Sequence, residues 1–169
     1  MTLEAIEEGA AVFIDANIFI YHFVGASRQC TALLARCESR ELRGVTSALV
    51  IAEVCHRLMT IEAVERKLVP PRNVVSKLAA SPDIVRHLFT YEIATDAVPS
   101  MGIEIDPVDE AILMHGLRIQ RRWGLLTNDS LVVAAMLRGG FRILATADRR
   151  LSTVNEIEVA TPTDLRSER

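Results

Sequence analysis

The chain has 169 residues, half of them hydrophobic, and a formal charge of −3 from 19 basic and 22 acidic residues; this is enough for one domain with a full core, and it excludes a disordered chain. The longest apolar run, Leu131 to Leu137, is far short of a bilayer span, and the acidic start MTLEAIEEGA has no apolar signal core, so neither membrane nor secretion is expected. Three cysteines, Cys30, Cys37 and Cys55, form no CxxC pair, which argues against a disulfide framework or zinc knuckle and fits a reducing cytoplasm.

In chain order, Ala11-Val12-Phe13-Ile14 reads as a short strand buried on both faces, and Asp15-Ala16-Asn17 ends it. A short helix over 18–24 is closed by Gly25. Ser27 caps a helix over 28–41, with Cys30, Leu33, Leu34 and Cys37 at helical spacing. Gly44-Val45-Thr46 is a second strand, and Ser47 caps a long helix over 48–66. The first five residues of that helix are apolar, which predicts a start buried nearly all round. Glu53 follows at the edge of a polar stripe with His56, Arg57 and Thr60, where an i,i+4 pair with Arg57 is the plainer reading.

Breaks at Val69–Asn73 and Ser81-Pro82 bracket helical patterns over 74–80 and 83–97. Together they read as an inserted helical hairpin, with Ile84, Val85, Leu88, Phe89 and Ile93 on one face of its second helix. Residues 102–105 alternate as a third strand, and Asp106-Pro107 opens a helix over 108–123. Asp109 and Glu110 suit its first turn and Arg118, Arg121 and Arg122 its end. Asn128 and Asp129 lead into a helix over 131–138 closed by Gly139-Gly140, where capping by Asp129 is the ordinary role. Residues 141–145 form a fourth strand that ends in Thr146-Ala147-Asp148, a turn-like sequence. Residues 156–159 suit a last edge strand, and the charged residues 166–169 a frayed tail.

Alternating strands and helices predict one α/β domain with a mostly parallel sheet and right-handed crossovers. That places Asp15 and Asp148 at one sheet edge, with Glu53 and Asp129 on helices opening toward it. Four clustered carboxylates repel and cannot all stay ionised unaided. A hard divalent ion, Mg²⁺ or Mn²⁺, resolves the conflict and suits phosphodiester hydrolysis. Asn17, Asn128 and Thr146 can orient these acids by hydrogen bonding without adding charge. The net negative charge runs against a nucleic-acid binder. Yet all basic residues except Lys67 and Lys77 are arginine, which favours phosphate contact.

The ordered set of Asp15-x-Asn17 after a buried strand, Thr46-Ser47 with Glu53 in the next helix, Asp129 opening DSLVVAA, and Thr146-x-Asp148 after Ile-Leu-Ala resembles the PIN-domain family. It is most similar to its VapC-type toxin ribonucleases, over residues 12–159. The resemblance implies an α/β/α sandwich and a Mg²⁺- or Mn²⁺-dependent endoribonuclease, a homodimer, and a small antitoxin partner. It assigns Asp15, Glu53, Asp129 and Asp148 as metal-binding acids. Three positions depart from the pattern: Ala16 stands where Thr or Ser is common, Leu151 where Phe is frequent, and Arg150 where many members carry a further acid. The last departure bears on a second metal; Arg149 and Arg150 could instead hold RNA phosphate. A haloacid-dehalogenase-like phosphatase would want an Asp where Asn17 stands and a positioned Lys, which the insert lysines do not offer. A non-catalytic module keeping the fold is the other alternative. His22, His56, His87 and His115 share no ligand spacing and read as structural or surface residues.

Overall fold

The structure, a computed structural model, describes residues 1–165. The run of apolar residues at the start of the chain forms β1 (Ala11–Ile14), whose Val12, Phe13 and Ile14 have no solvent exposure. It lies at the middle of a fully parallel sheet with β2 (Arg43–Ser47), β3 (Glu104–Asp106), β4 (Ile143–Ala145) and β5 (Glu158–Ala160), in the order β3-β2-β1-β4-β5. Val12 pairs with Gly44 on one side and Ile143 on the other. Phe13 also meets the Phe141 ring at 6.0 Å between centroids. The predicted last strand is present as β5, at the sheet edge beside β4.

The chain steps from β1 to β2 to β3 in one direction and then crosses back over β1 to reach β4. With right-handed crossovers this puts the early helices on one sheet face and the later ones on the other. The packing agrees. On the first side, α1 (Ala16–Phe23) packs against α2 (Arg28–Glu38) and α3 (Ala48–Glu65). On the second, α7 (Glu110–Trp123) packs along α8 (Thr127–Arg138). Their close approach depends on Gly116, where a Cβ would lie 2.6 Å from the Leu131 side chain. Gly124, at φ +66°, then reverses the chain between the two helices. The expected three-layer α/β/α sandwich is therefore present. The reversal of strand order falls between β1 and β4, and in open α/β sheets the ligand crevice opens there, beyond the strand ends.

Some element bounds differ from the sequence pattern. Helix α1 begins at Ala16, earlier than expected, because Asp15 serves as its N-cap. Helix α2 ends at Glu38, and Arg40 takes a left-handed φ of +65°. Helix α8 begins at Thr127. The start of α3 is not buried all round: Val50, Val54 and Leu58 face the core, while Ala48 and Ala52 are exposed. Residues 166–169, the expected frayed tail, lie outside the described residues.

The insert is not a hairpin of two helices. It comprises α4 (Val74–Ala79), α5 (Pro82–Arg86) and α6 (Thr90–Asp96), and the expected single apolar face is broken: Leu88 is buried but Phe89 and Ile93 are exposed. The cause is a buried carboxylate. Glu62 on α3, only 4% exposed, accepts from the backbone N–H groups of Phe89 and Tyr91 at 3.1 Å each. It thereby supplies the cap that starts α6. Arg66 donates to Glu62 at 2.8 Å and to the His87 carbonyl at 2.7 Å, closing the preceding turn. Burial alone would raise the proton affinity of Glu62, but these donors outweigh it and hold the carboxyl below its usual range.

Replacing Glu62 with Ala leaves buried donors without an acceptor. We expect Glu62→Ala to cost about 2–3 kcal/mol in chemical denaturation, with hydrogen exchange accelerated first at the α6 amides. Glu62→Gln keeps one acceptor oxygen and should lose about half as much; equal protection of α6 in wild type and Glu62→Ala would refute this role.

Candidate active site

Four separated segments bring their acids to the crevice. Asp15 stands where β1 ends, Glu53 on α3, Asp129 in the first turn of α8 and Asp148 beyond the end of β4. All four line one cleft of about 510 Å³, together with Asn17, Asn128, Arg57 and Arg150. Larger hollows lie between α3 and α4 and beside α6, but neither holds this set of acids.

The strand ends are tied together by side chains. Thr146 donates its hydroxyl to Asp15 Oδ2 at 2.6 Å, and Asn17 donates its amide to the same oxygen at 2.5 Å. Asn17 also donates to Thr146 Oγ1 at 2.9 Å, while its own carbonyl accepts from the Ala147 N–H at 2.8 Å. The other Asp15 oxygen accepts from the Ala16 N–H at 2.7 Å. Thr146 Oγ1 further accepts from the Asp148 N–H at 3.0 Å, so one hydroxyl sets both acids at the sheet edge. On the neighbouring strand, buried Thr46 donates to the Ile14 carbonyl at 2.8 Å. Asn17 and Thr146 thus have the orienting contacts expected of them. Asn128 reaches Glu53 Oε2 only at 3.5 Å, the outer limit of such a contact.

The plainer roles considered for these acids fare unevenly. Glu53 makes no ion pair with Arg57 among the described residues and turns toward Asn128 instead. Asp129 is not the cap of its helix; Leu126 holds that position, and no side-chain hydrogen bond to Asp129 occurs among the described residues. Asp148 does act in its turn, accepting from the Arg150 N–H at 2.9 Å. By contrast, Asp109 caps α7 and pairs with Arg138, the structural part expected of it.

Electrostatics distinguish the acids. Burial pushes Asp15 up from its ordinary 3.8 to about 6; hydrogen bonds from Thr146 and Ala16 oppose this, and the charges of Glu53 and Asp129 add to it. Asp129 is raised by burial and then by the charge of Asp148. Asp148 is held below its usual range, chiefly by the Arg150 guanidinium. The donors are all oxygen, and Asp15 and Asp129 carry charge that their surroundings do not neutralise. Both features fit a hard divalent cation such as Mg²⁺ or Mn²⁺. As oriented, no three His, Cys, Asp or Glu side chains among the described residues form a closed ligand cluster. Asp148 is paired with Arg150, although its charge still reaches Asp129. Cys30 and Cys37 are core residues whose thiols burial pushes up to about 11, so they offer no thiolate to a metal.

Arg57, read in the sequence only as a partner for Glu53, is a cation of the cleft itself. Its i,i+4 spacing from Glu53 was the available signal, since that spacing puts both on one helix face. Arg149 is exposed and does not line the cleft; Arg150 does.

Because Asp15 holds its proton more tightly folded (about 6) than unfolded (near 3.8), it favours the native state at low pH. That contribution is lost as pH rises through about 6. The difference in stability between wild type and Asp15→Asn should therefore change by about 2 kcal/mol between pH 4 and pH 7 in metal-free buffer. His22, whose proton affinity burial lowers, acts oppositely but is common to both proteins. Urea titrations across this range check it; parallel pH profiles would show that Asp15 titrates normally.

Comparison with known proteins completes the description. The PIN domain family model matches residues 12–157. A search of curated proteins gave no significant match. Among solved structures, VapBC2 from Rickettsia felis bound to a DNA fragment from its promoter is similar with a TM-score of 0.59 at 13% identity, covering 90% of this chain and 98% of that one. A toxin-antitoxin complex from Klebsiella pneumoniae gives 0.57 at 14% identity, covering 87% and 95%. PAE2754 from Pyrobaculum aerophilum gives 0.53 at 17% identity, covering 90% and 83%. With the family pattern running through nearly all of its sheet and through all four cleft acids, this chain belongs to the PIN domain family.

Proposed function

We propose that the protein is a divalent-metal-dependent endoribonuclease. The observation that supports this best is the convergence of Asp15, Glu53, Asp129 and Asp148, from four separate segments, on one cleft at the switch point of the sheet. Mg²⁺ or Mn²⁺ would be held by these four carboxylates. When bound, the cation supplies Lewis acidity, activating water for attack on the phosphodiester and neutralising charge on the phosphate and leaving oxygen.

The chain's own residues supply the rest. Thr146 and Asn17 hold Asp15 in one orientation through hydrogen bonds to its Oδ2. Asn128, at the outer limit of contact with Glu53, would orient it when the site fills. Arg149, exposed beside the cleft, would contact phosphate along the RNA backbone, which positions the strand without reading its sequence. The toxin-antitoxin complexes among the structural relatives support a small antitoxin protein as partner. A homodimer and a cytoplasmic location belong to the same reading. Among the described residues no helix is long and apolar enough to cross a membrane.

Purified protein should cut RNA in Mn²⁺ and leave it intact in EDTA. Asp15→Asn should lower the rate at least about a hundredfold, as loss of a metal-binding carboxylate does when the cation contributes several kcal/mol to the barrier. Thr146→Val, which leaves every acid in place, should cost about ten- to a hundredfold. Intact RNA of varied sequence and structure, in Mn²⁺ with folded and unpartnered protein, would overturn the reading in favour of a binding module.

A further inference from the structure

Asp148 differs from the other three cleft acids in already having a cation. Arg150 Nε lies 3.0 Å from each Asp148 oxygen, and Nη2 lies 2.5 Å from Oδ2. The Arg150 N–H adds a bond to Oδ1 at 2.9 Å. Both oxygens are therefore occupied by one residue two positions along the chain. Such a short loop closes at little entropic cost, and the fork of a guanidinium matches a carboxylate in a way that a point charge does not.

We propose that Arg150 is a resident counter-ion for Asp148, occupying the place of a cation, so that the cleft takes one divalent ion at Asp15, once Glu53 and Asp129 turn toward it, and admits another at Asp148 only when the guanidinium is displaced. The proposal rests on the four-acid reading above and sharpens it. The charge inventory of the cleft points the same way. Four carboxylates face two guanidiniums, those of Arg57 and Arg150. The excess negative charge is what one divalent ion balances, and a second would leave the cleft positive. Arg150 is itself largely exposed, so it can swing out without unpacking the core. Its release would leave the guanidinium at the mouth of the cleft, where a phosphate oxygen can replace the carboxylate as its acceptor.

The test is Mn²⁺ titration by calorimetry on wild type, Arg150→Gln and Arg57→Gln, with thermal melts to confirm folding. Arg150→Gln keeps the backbone bond to Asp148 and removes only the charged fork. We expect wild type to take up one Mn²⁺. Arg150→Gln should take up a second, or bind the first at least about fivefold more tightly. Arg57→Gln removes an equal charge from the same cleft without touching Asp148 and should change uptake much less. Mn²⁺ binding by wild type with no gain in Arg150→Gln overturns the proposal and leaves the four-acid site standing. An equal gain in Arg57→Gln also overturns it, since the effect would then be one of general charge. No Mn²⁺ uptake by any of the three overturns the four-acid reading and this proposal with it.

Discussion

The structure turns on the bonds that join the ends of two neighbouring strands. Asp15 and Asp148 are far apart in sequence, yet the hydroxyl of Thr146 touches both, donating to one and accepting from the backbone of the other. Asn17 closes the same loop from the β1 side, reaching Asp15, Thr146 and the Ala147 N–H. These two side chains replace the ladder where the sheet stops. They carry no net charge, so they hold an acid in place without neutralising it. A cleft that must concentrate carboxylates needs that combination: firm positioning with charge left over.

Two buried acids show the alternative outcomes. Glu62 lies deep between α3 and the insert, and its surroundings satisfy it completely: two backbone N–H groups and Arg66 converge on it. Its proton affinity falls, and its role ends with anchoring α6. Asp15 also has donors, but burial and the nearby charges of Glu53 and Asp129 prevail, and its proton affinity rises to about 6. The structural acid has been given its counter-charge; the cleft acids have not, except for Asp148. That contrast, rather than the number of acids, separates the cleft acids from a salt-bridged core.

The helix carrying Glu53 performs both tasks. Its first half places Glu53 and Arg57 in the cleft and its second half carries Glu62, so the insert is fastened to the element that presents a cleft acid. The insert also has a small apolar core of its own in Ala63, Val69, Leu78 and Leu88. Of its helices, α6 begins where the Phe89 and Tyr91 N–H groups are taken by a carboxylate from outside the insert.

The sequence by itself determined the central strand, the parallel sheet and the four acids. An unbroken apolar run can only be buried on both faces, and alternation of strand and helix leaves few ways to place it. Ser27 and Ser47 read correctly as helix caps, since a cap depends only on residues within one turn. Tertiary structure decided what local pattern could not reach. The break between α5 and α6 depends on Glu62, more than twenty residues away, so the apolar spacing of residues 84–93 suggested one continuous face. The exposure of Ala48 and Ala52 reflects where α3 lies on the sheet, not what its residues prefer. Similarly, Glu53 and Arg57 have the spacing of an ion pair, but the cleft gives each different surroundings. Arg150 could be identified in the sequence as an unusual cation beside an acid. Only the folded turn shows its guanidinium filling both oxygens of Asp148, because the geometry of the turn decides which nearby group a long, exposed side chain reaches.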